Sequence, residues 1–363
     1  MSPIRAAVMP APLSPMEVRE IADPVVAPGG ILLRTVASEV CGTDVHIHRG
    51  QLAGVPYPII PGHVSVGQIL ELRDVTHDAL GRPLRAGDVV TFYDVHGVCG
   101  RCWYCTVAEQ SNRCPSRRVY GITYSVDDGP FGGWAERIYL QPGVRVLRLP
   151  GSLDAETVIG GGCGLFTGYA AVERSALAMG DVVVVQGTGP VGLAAVAFAR
   201  LRGAGAICAV GEPASRRDLA SLMGADRTLA LTEDQSQRMA AVHELTGGRG
   251  ADVVIEASGN PQALPEGLAL LRDGGTYVVA GHYADAGEVA INPHLAINRK
   301  HADVRGQWGT AFRHVVRALS MLERYRERLP FAKAIGGRYG LAEAGRALED
   351  VAALRVTKAI ITP

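Results

Sequence analysis

DVVVVQGTGPVGLAAVAFARLRG, residues 181–203, is the stretch from which the fold can be read. Between Val182 and Ala199 it carries eighteen uncharged residues, close to the length of a membrane span. Three glycines and a proline at the centre of that run predict something else: a buried strand, a tight turn and a helix. Gly187, Gly189 and Gly192, with Pro190 and Val191 inside the turn, stand in G-x-G-x-x-G spacing. Glycines there let backbone N–H groups approach a pyrophosphate, which sits against the positive end of the helix dipole. The motif is weak in isolation, but directly after an apolar strand and at the start of a helix it predicts dinucleotide binding.

Downstream the same texture repeats. AICAVG, SRRDLASLMGA, ADVVIEASG, LPEGLALLRDGG and TYVVAG alternate glycine-bounded β runs with helical stretches. That alternation implies βαβ units and a parallel sheet, hence a doubly wound α/β (Rossmann) domain over residues 165–305. An acidic residue that holds the adenosine ribose is expected about 20 residues past the loop. The position falls on Gly211, with Glu212 next to it. Glu212 would accept from a 2′-hydroxyl and repel a 2′-phosphate, which favours NAD. Arg216 or Arg217 would attract the phosphate of NADP, or form a solvated helix face.

Upstream, residues 1–164 are rich in Gly and Pro, with short β runs such as ILLRTVASEV, GDVVTFYDV and AERIYLQPGVRVLRLP. They predict a β-rich domain with long functional loops. After residue 305, TAFRHVVRALSMLERYRER and LAEAGRALEDVAAL read as helical and TKAIITP as a last strand. Residues 306–363 are too few to stand alone and are expected to pack back on the first domain. The 363 residues suit two domains. The 36 basic and 36 acidic residues cancel and are dispersed, so neither nucleic acid nor an anionic membrane surface is an expected partner. The first twenty residues lack the apolar core of a secretory signal, and a cytoplasmic location is expected.

Of the seven cysteines, Cys99, Cys102, Cys105 and Cys114 fall within sixteen residues as C-x2-C-x2-C-x8-C. Thiolates so spaced can surround one tetrahedral ion with bonds of ~2.3 Å. An odd total and this clustering fit a metal site in a reducing compartment better than a disulfide framework. Four sulfurs leave no open coordination position, so this zinc would be a staple and the chemistry would lie elsewhere. Cys208, inside an apolar strand, reads as a small core residue. Cys41 opens CGTDVHIH, His63 sits in IIPGHVSVG, and Cys163 falls in GGGCGLFTGY. Two thiolates and one imidazole would make an open Cys2His site, although a histidine flanked by glycine can equally be structural.

CGTD, PGH, the four-cysteine lobe, GGWAE at 132–136, GCGLFTGY, GTGPVG and a C-terminal strand resemble, in combination and over nearly the whole chain, the zinc-dependent medium-chain alcohol dehydrogenases. The resemblance implies a β-rich GroES-like catalytic domain joined to the Rossmann domain. It also implies two zinc ions per chain, a nicotinamide cofactor, and a homodimer or homotetramer in which edge strands near ADVRGQWG pair across subunits. Cys41, His63 and Cys163 would hold the catalytic zinc, and Asp44 would orient the ligand histidine. Thr43 would take the alcohol proton and His46 would end the relay to solvent. Thr167 would lie near the nicotinamide and Lys358 would meet the pyrophosphate, unless it merely ends an exposed strand. The reaction implied is hydride transfer between a small-molecule alcohol and the cofactor, giving a ketone or aldehyde. Leu52 and Val95, apolar and modest in size, would line a roomy pocket for a secondary alcohol, cyclic ones included, with a polyol or amino alcohol as the alternative.

Two departures are visible. Val64 follows His63 where the family commonly has Glu, and the lobe carries eight residues before its last cysteine where seven are usual. Cys163, standing where polyol and threonine dehydrogenases often have a carboxylate, moves the chain toward the alcohol dehydrogenase branch.

Overall fold

A computed structural model describes residues 3–363. The chain forms two compact units. One takes the chain up to Gly162 with Ala311–Arg324 and Phe331–Pro363; the other takes Cys163–Thr310 with Tyr325–Pro330.

The second unit is built on the quoted stretch. Val182–Gln186 is a strand with every residue buried, as expected of a parallel strand covered on both faces. It pairs in parallel with Ala206–Val210 on one side and Ala251–Glu256 on the other. Six parallel strands follow the order Arg227–Leu229, Ala206–Val210, Val182–Gln186, Ala251–Glu256, Leu271–Val279, Asp303–Gly306. Connections therefore run in opposite directions from Val182–Gln186, the switch point at which open sheets of this kind bind ligands. The helix Pro190–Arg202 begins with proline in its first turn and ends on Gly203 in the left-handed conformation, each residue type suited to its end. Among the described residues no helix is long and apolar enough to cross a membrane.

In the first unit, seven strands form a mostly antiparallel sheet around Ile31–Val40. That strand pairs with Ser65–Leu72, with Arg137–Leu140 and with the C-terminal strand Lys358–Ile361. Alternation is imperfect, since eight of its ten residues are buried, and the buried set includes Glu39. Trp134, completely buried, donates its indole N–H to the Glu39 carbonyl at 2.9 Å.

GGGCGLFTGY lies within the helix Ala155–Ser175, which is broken at Gly162 (φ 51°, ψ −144°). The glycines serve close packing: a Cβ on Gly164 would stand 2.6 Å from Pro190, and one on Gly168 2.6 Å from the Ala194 side chain. Two helices can approach at that distance only where one carries no side chains.

The dinucleotide turn is equally tight. A Cβ on Gly192 would fall 1.8 Å from the Gly187 carbonyl oxygen, a backbone atom that cannot rotate away. Gly192→Ala is expected to destabilise the protein by ~1–3 kcal/mol, read as a lowered urea midpoint; an unchanged midpoint would show that the turn relaxes freely.

Candidate active site and metal centres

The four-cysteine lobe closes on itself through backbone donors. The Cys102 N–H points at Cys99 Sγ and the Cys99 N–H at Cys114 Sγ, each at 3.3 Å, while Cys102 Sγ and Cys105 Sγ are 3.5 Å apart. All four sulfurs lie within 4.8 Å of one another, and none of the cysteines forms a disulfide. Backbone N–H groups of Arg101 and Cys102 hold the Cys99 thiol down to about 6, whereas burial pushes Cys105 up to about 12. Backbone N–H groups, that of Cys99 foremost, lower the Cys114 thiol as well, and a lobe whose backbone favours thiolates suits a cation. Cys208 is a buried core residue whose thiol burial raises to about 12.

A second donor group brings together Cys41, His63 and Cys163, with a member that sequence reading missed, Glu39; their ligand atoms also lie within 4.8 Å of one another. Cys41 ends the strand region at the N-cap of the short helix Gly42–His48. His63 sits in the turn before Ser65–Leu72. Asp44, fully buried, accepts from the Cys41 N–H at 2.8 Å with Oδ2, and its Oδ1 is buried without a hydrogen-bond partner. Burial raises the Asp44 carboxyl and the Asp94 carboxyl alike, and in both cases the His63 charge works against that rise. Asp94 is a further acid that sequence reading did not single out.

Zinc fits this donor set. Sulfur, imidazole and carboxylate are its usual ligands, and two buried acids, Glu39 and Asp44, around one imidazole call for compensating positive charge. An unpartnered buried carboxylate oxygen points the same way.

Thr43 and His46 stand one helical turn apart on Gly42–His48, and both are partly exposed. His46 Nδ1 is 2.7 Å from Gln51 Oε1, so the ring donates from Nδ1 and leaves Nε2 as the acceptor. Gln51 carried no motif and was invisible in sequence. Leu52 packs against the core cluster of the first unit. Val95 is half-buried and pairs with Val119.

Around the glycine turn, Gly187 adopts φ 109° and the helix that follows has no acid in its first turn. Thr188 Oγ1 is buried without a hydrogen-bond partner. A Cβ at Gly211 would lie 2.2 Å from that oxygen, which explains why the expected acid cannot stand there. Glu212 takes the next position with both oxygens engaged: Oε2 accepts from Arg217, and Oε1 from the Leu231 N–H at 3.2 Å. Neither arginine forms a solvated face. Arg217 is paired with Glu212, and Arg216 is only 8% exposed, burial lowering its guanidinium below the usual range. Thr167 lies part-exposed on the helix Ala155–Ser175.

Lys358 requires a correction. Neither a pyrophosphate contact nor an exposed strand end describes it, because its side chain is 0% exposed and Nζ lies 2.6 Å from Glu39 Oε2. The register accounts for this. Ala359 pairs with Val40, so Lys358 enters the sheet interior beside the metal-donor group instead of reaching outward.

The zinc-binding dehydrogenase family matches residues 190–324, and the alcohol dehydrogenase GroES-like domain matches residues 27–151. A 5-exo-hydroxycamphor dehydrogenase of Pseudomonas putida is 36% identical over 92% of each chain. An L-threonine 3-dehydrogenase of Pyrococcus abyssi is 30% identical over 81% of this chain and 79% of its own length. Among solved structures, an alcohol dehydrogenase of Thermotoga maritima superposes with a TM-score of 0.94 at 33% identity over 99% of both chains. A zinc-binding dehydrogenase of Sinorhizobium meliloti, determined with NADP bound, gives 0.86 at 26% identity over the full length of both. The chain belongs to the zinc-dependent medium-chain alcohol dehydrogenases, nicotinamide-dependent oxidoreductases built from a GroES-like domain and a doubly wound cofactor domain.

Proposed function

We propose that this enzyme interconverts a secondary alcohol, cyclic ones included, and its ketone, using NAD. The observation that carries the reading is the convergence of Cys41, His63 and Cys163 into one donor group beside the helix that bears Thr43 and His46. Zinc held there supplies Lewis acidity, which favours the deprotonated form of an alcohol near neutral pH. Thr43 accepts the alcohol proton and His46 passes it to water. Gln51, at 2.7 Å from Nδ1, supports the relay, because a fixed tautomer leaves Nε2 to exchange protons. Asp44 ties the metal-binding loop together through the Cys41 N–H.

The glycine turn, with Gly187, Gly189, Pro190, Val191 and Gly192, holds the pyrophosphate, and Thr167 borders the nicotinamide. Glu212 disfavours a 2′-phosphate, although its pairing with Arg217 weakens that repulsion and leaves NADP as the competing cofactor. The four-cysteine lobe holds a second zinc with a structural role. The seven reduced cysteines suit the cytoplasm. Asp303–Gly306 ends the six-stranded sheet, so the unpaired edge it offers suits strand pairing in a homodimer or homotetramer.

The modest side chains Leu52 and Val95 leave room for a ring, and the hydroxycamphor dehydrogenase among the relatives is named for a cyclic secondary alcohol. Relatives named for erythritol and threonine make polyols and amino alcohols the second reading. Buried substrate hydroxyls would need hydrogen-bonding side chains, a role for which Leu52 and Val95 have nothing to offer.

The test is the initial rate of nicotinamide reduction with NAD and with NADP across primary, secondary, cyclic and polyol substrates, Cys41→Ser serving as control. Turnover of cyclic secondary alcohols with NAD, lost in Cys41→Ser, is expected; reaction with polyols alone overturns the substrate assignment, and reaction with NADP alone overturns the role of Glu212. Val95→Phe is expected to shift the kcat/KM ratio toward small primary alcohols by tenfold or more. An unchanged ratio would remove Val95 from the pocket.

A further inference from the structure

Glu39 is an acid placed where water cannot solvate it. Its side chain and that of Lys358 are both completely buried. It lies two residues before Cys41 on the strand Ile31–Val40, and its N–H donates to the carbonyl of Val64, the residue after His63, at 3.1 Å. That bond extends the register in which Ser38 faces Ser65, so Glu39 and Val64 are cross-strand neighbours. Residues so paired project to the same face of a sheet. Of the two, Glu39 brings the carboxylate.

Its two oxygens have different neighbours. Oε2 accepts from Lys358 Nζ at 2.6 Å, while Oε1 stands 3.4 Å from His63 Nε2. Pairing with a lysine does not require the second oxygen to approach an imidazole nitrogen. Sharing a metal does: two donors each ~2.0–2.1 Å from a tetrahedral zinc stand ~3.3 Å apart. The backbone has been cleared for this arrangement, because a Cβ on Gly162, next to Cys163, would fall 2.0 Å from Glu39 Oε2.

We propose that Glu39 is a fourth protein donor to the ion of the Cys41, His63 and Cys163 site, with Lys358 as the positioning residue that holds the other carboxylate oxygen. This rests on the reading of those three residues as a zinc site. The ammonium sets how strongly the carboxylate binds: shared with Lys358, Glu39 is a weaker ligand and one that an incoming substrate oxygen can displace. Without Lys358 the same carboxylate would close the site.

Three variants of the full-length zinc enzyme test this, read by metal analysis, by the rate of zinc release to a chromogenic chelator, and by the visible absorption of the Co2+-loaded protein. Cys41→Ser is expected to lose one zinc per chain. Glu39→Gln is expected to change the Co2+ ligand-field bands, seen as a difference spectrum against wild type in which the four-cysteine lobe cancels. It should also release zinc at least tenfold faster, in keeping with the 10–100-fold losses that even outer-shell changes bring. Lys358→Met is expected to release zinc more slowly than wild type. If Cys41→Ser keeps its full zinc, the site reading itself fails. If it loses zinc while Glu39→Gln leaves spectrum and release rate unchanged, the site stands and Glu39 is only a buried ion-pair partner. Unchanged or faster release from Lys358→Met overturns the positioning role. Should Glu39→Gln fail to fold, Glu39→Gln/Lys358→Met removes both charges together, strands no buried ammonium, and carries the same spectral and release readouts.

Discussion

Buried charge around His63 is the constraint on which the first unit depends. Glu39, Asp44 and Lys358 are all without solvent exposure, and Cys41 is 3% exposed. Isolated charges in such a place cost several kcal/mol each. They are tolerated because the fold supplies partners, Lys358 for Glu39 and the Cys41 N–H for Asp44, and the donor group as a whole is one that could hold a metal ion. Strand order serves the same end. The last strand, Lys358–Ile361, pairs beside Ile31–Val40, so residues 319 positions apart in sequence meet as an ion pair. The C-terminal segment completes the surroundings of Glu39 as well as the sheet.

Glycine is the second recurring device, and it acts by absence. At 162, 187, 192 and 211 a single Cβ would collide with a carboxylate, a backbone or a threonine. Gly211 is the instructive case. The acid that a doubly wound domain would place there is displaced to Glu212 because Thr188 already fills the space, and the carboxylate is then drawn to Arg217. Packing inside the turn thus decides where the carboxylate stands.

The doubly wound sheet was legible because its signals are local: valine runs, glycine turns and helices follow one another in order. The four-cysteine lobe was legible for the same reason. What escaped depends on register. Glu39 and Lys358 each stood near the end of an apolar strand, but their pairing follows from strand neighbours far apart in sequence. Gln51 and Asp94 carried no pattern at all. The helix through GGGCGLFTGY was hidden because helix propensity counts glycine as a breaker, whereas Gly164 and Gly168 are selected there by the closeness of Pro190 and Ala194.

On this reading Cys41, His63 and Cys163 hold the zinc that carries the chemistry, and the four-cysteine lobe holds one that only staples its loop. Anomalous diffraction at the zinc absorption edge, from crystals of the enzyme as purified, locates both ions. Two peaks per chain are predicted, one among the four lobe sulfurs and one ~2.0–2.3 Å from the donors of Cys41, His63 and Cys163. A single peak confined to the lobe would show that Cys41, His63 and Cys163 hold no zinc.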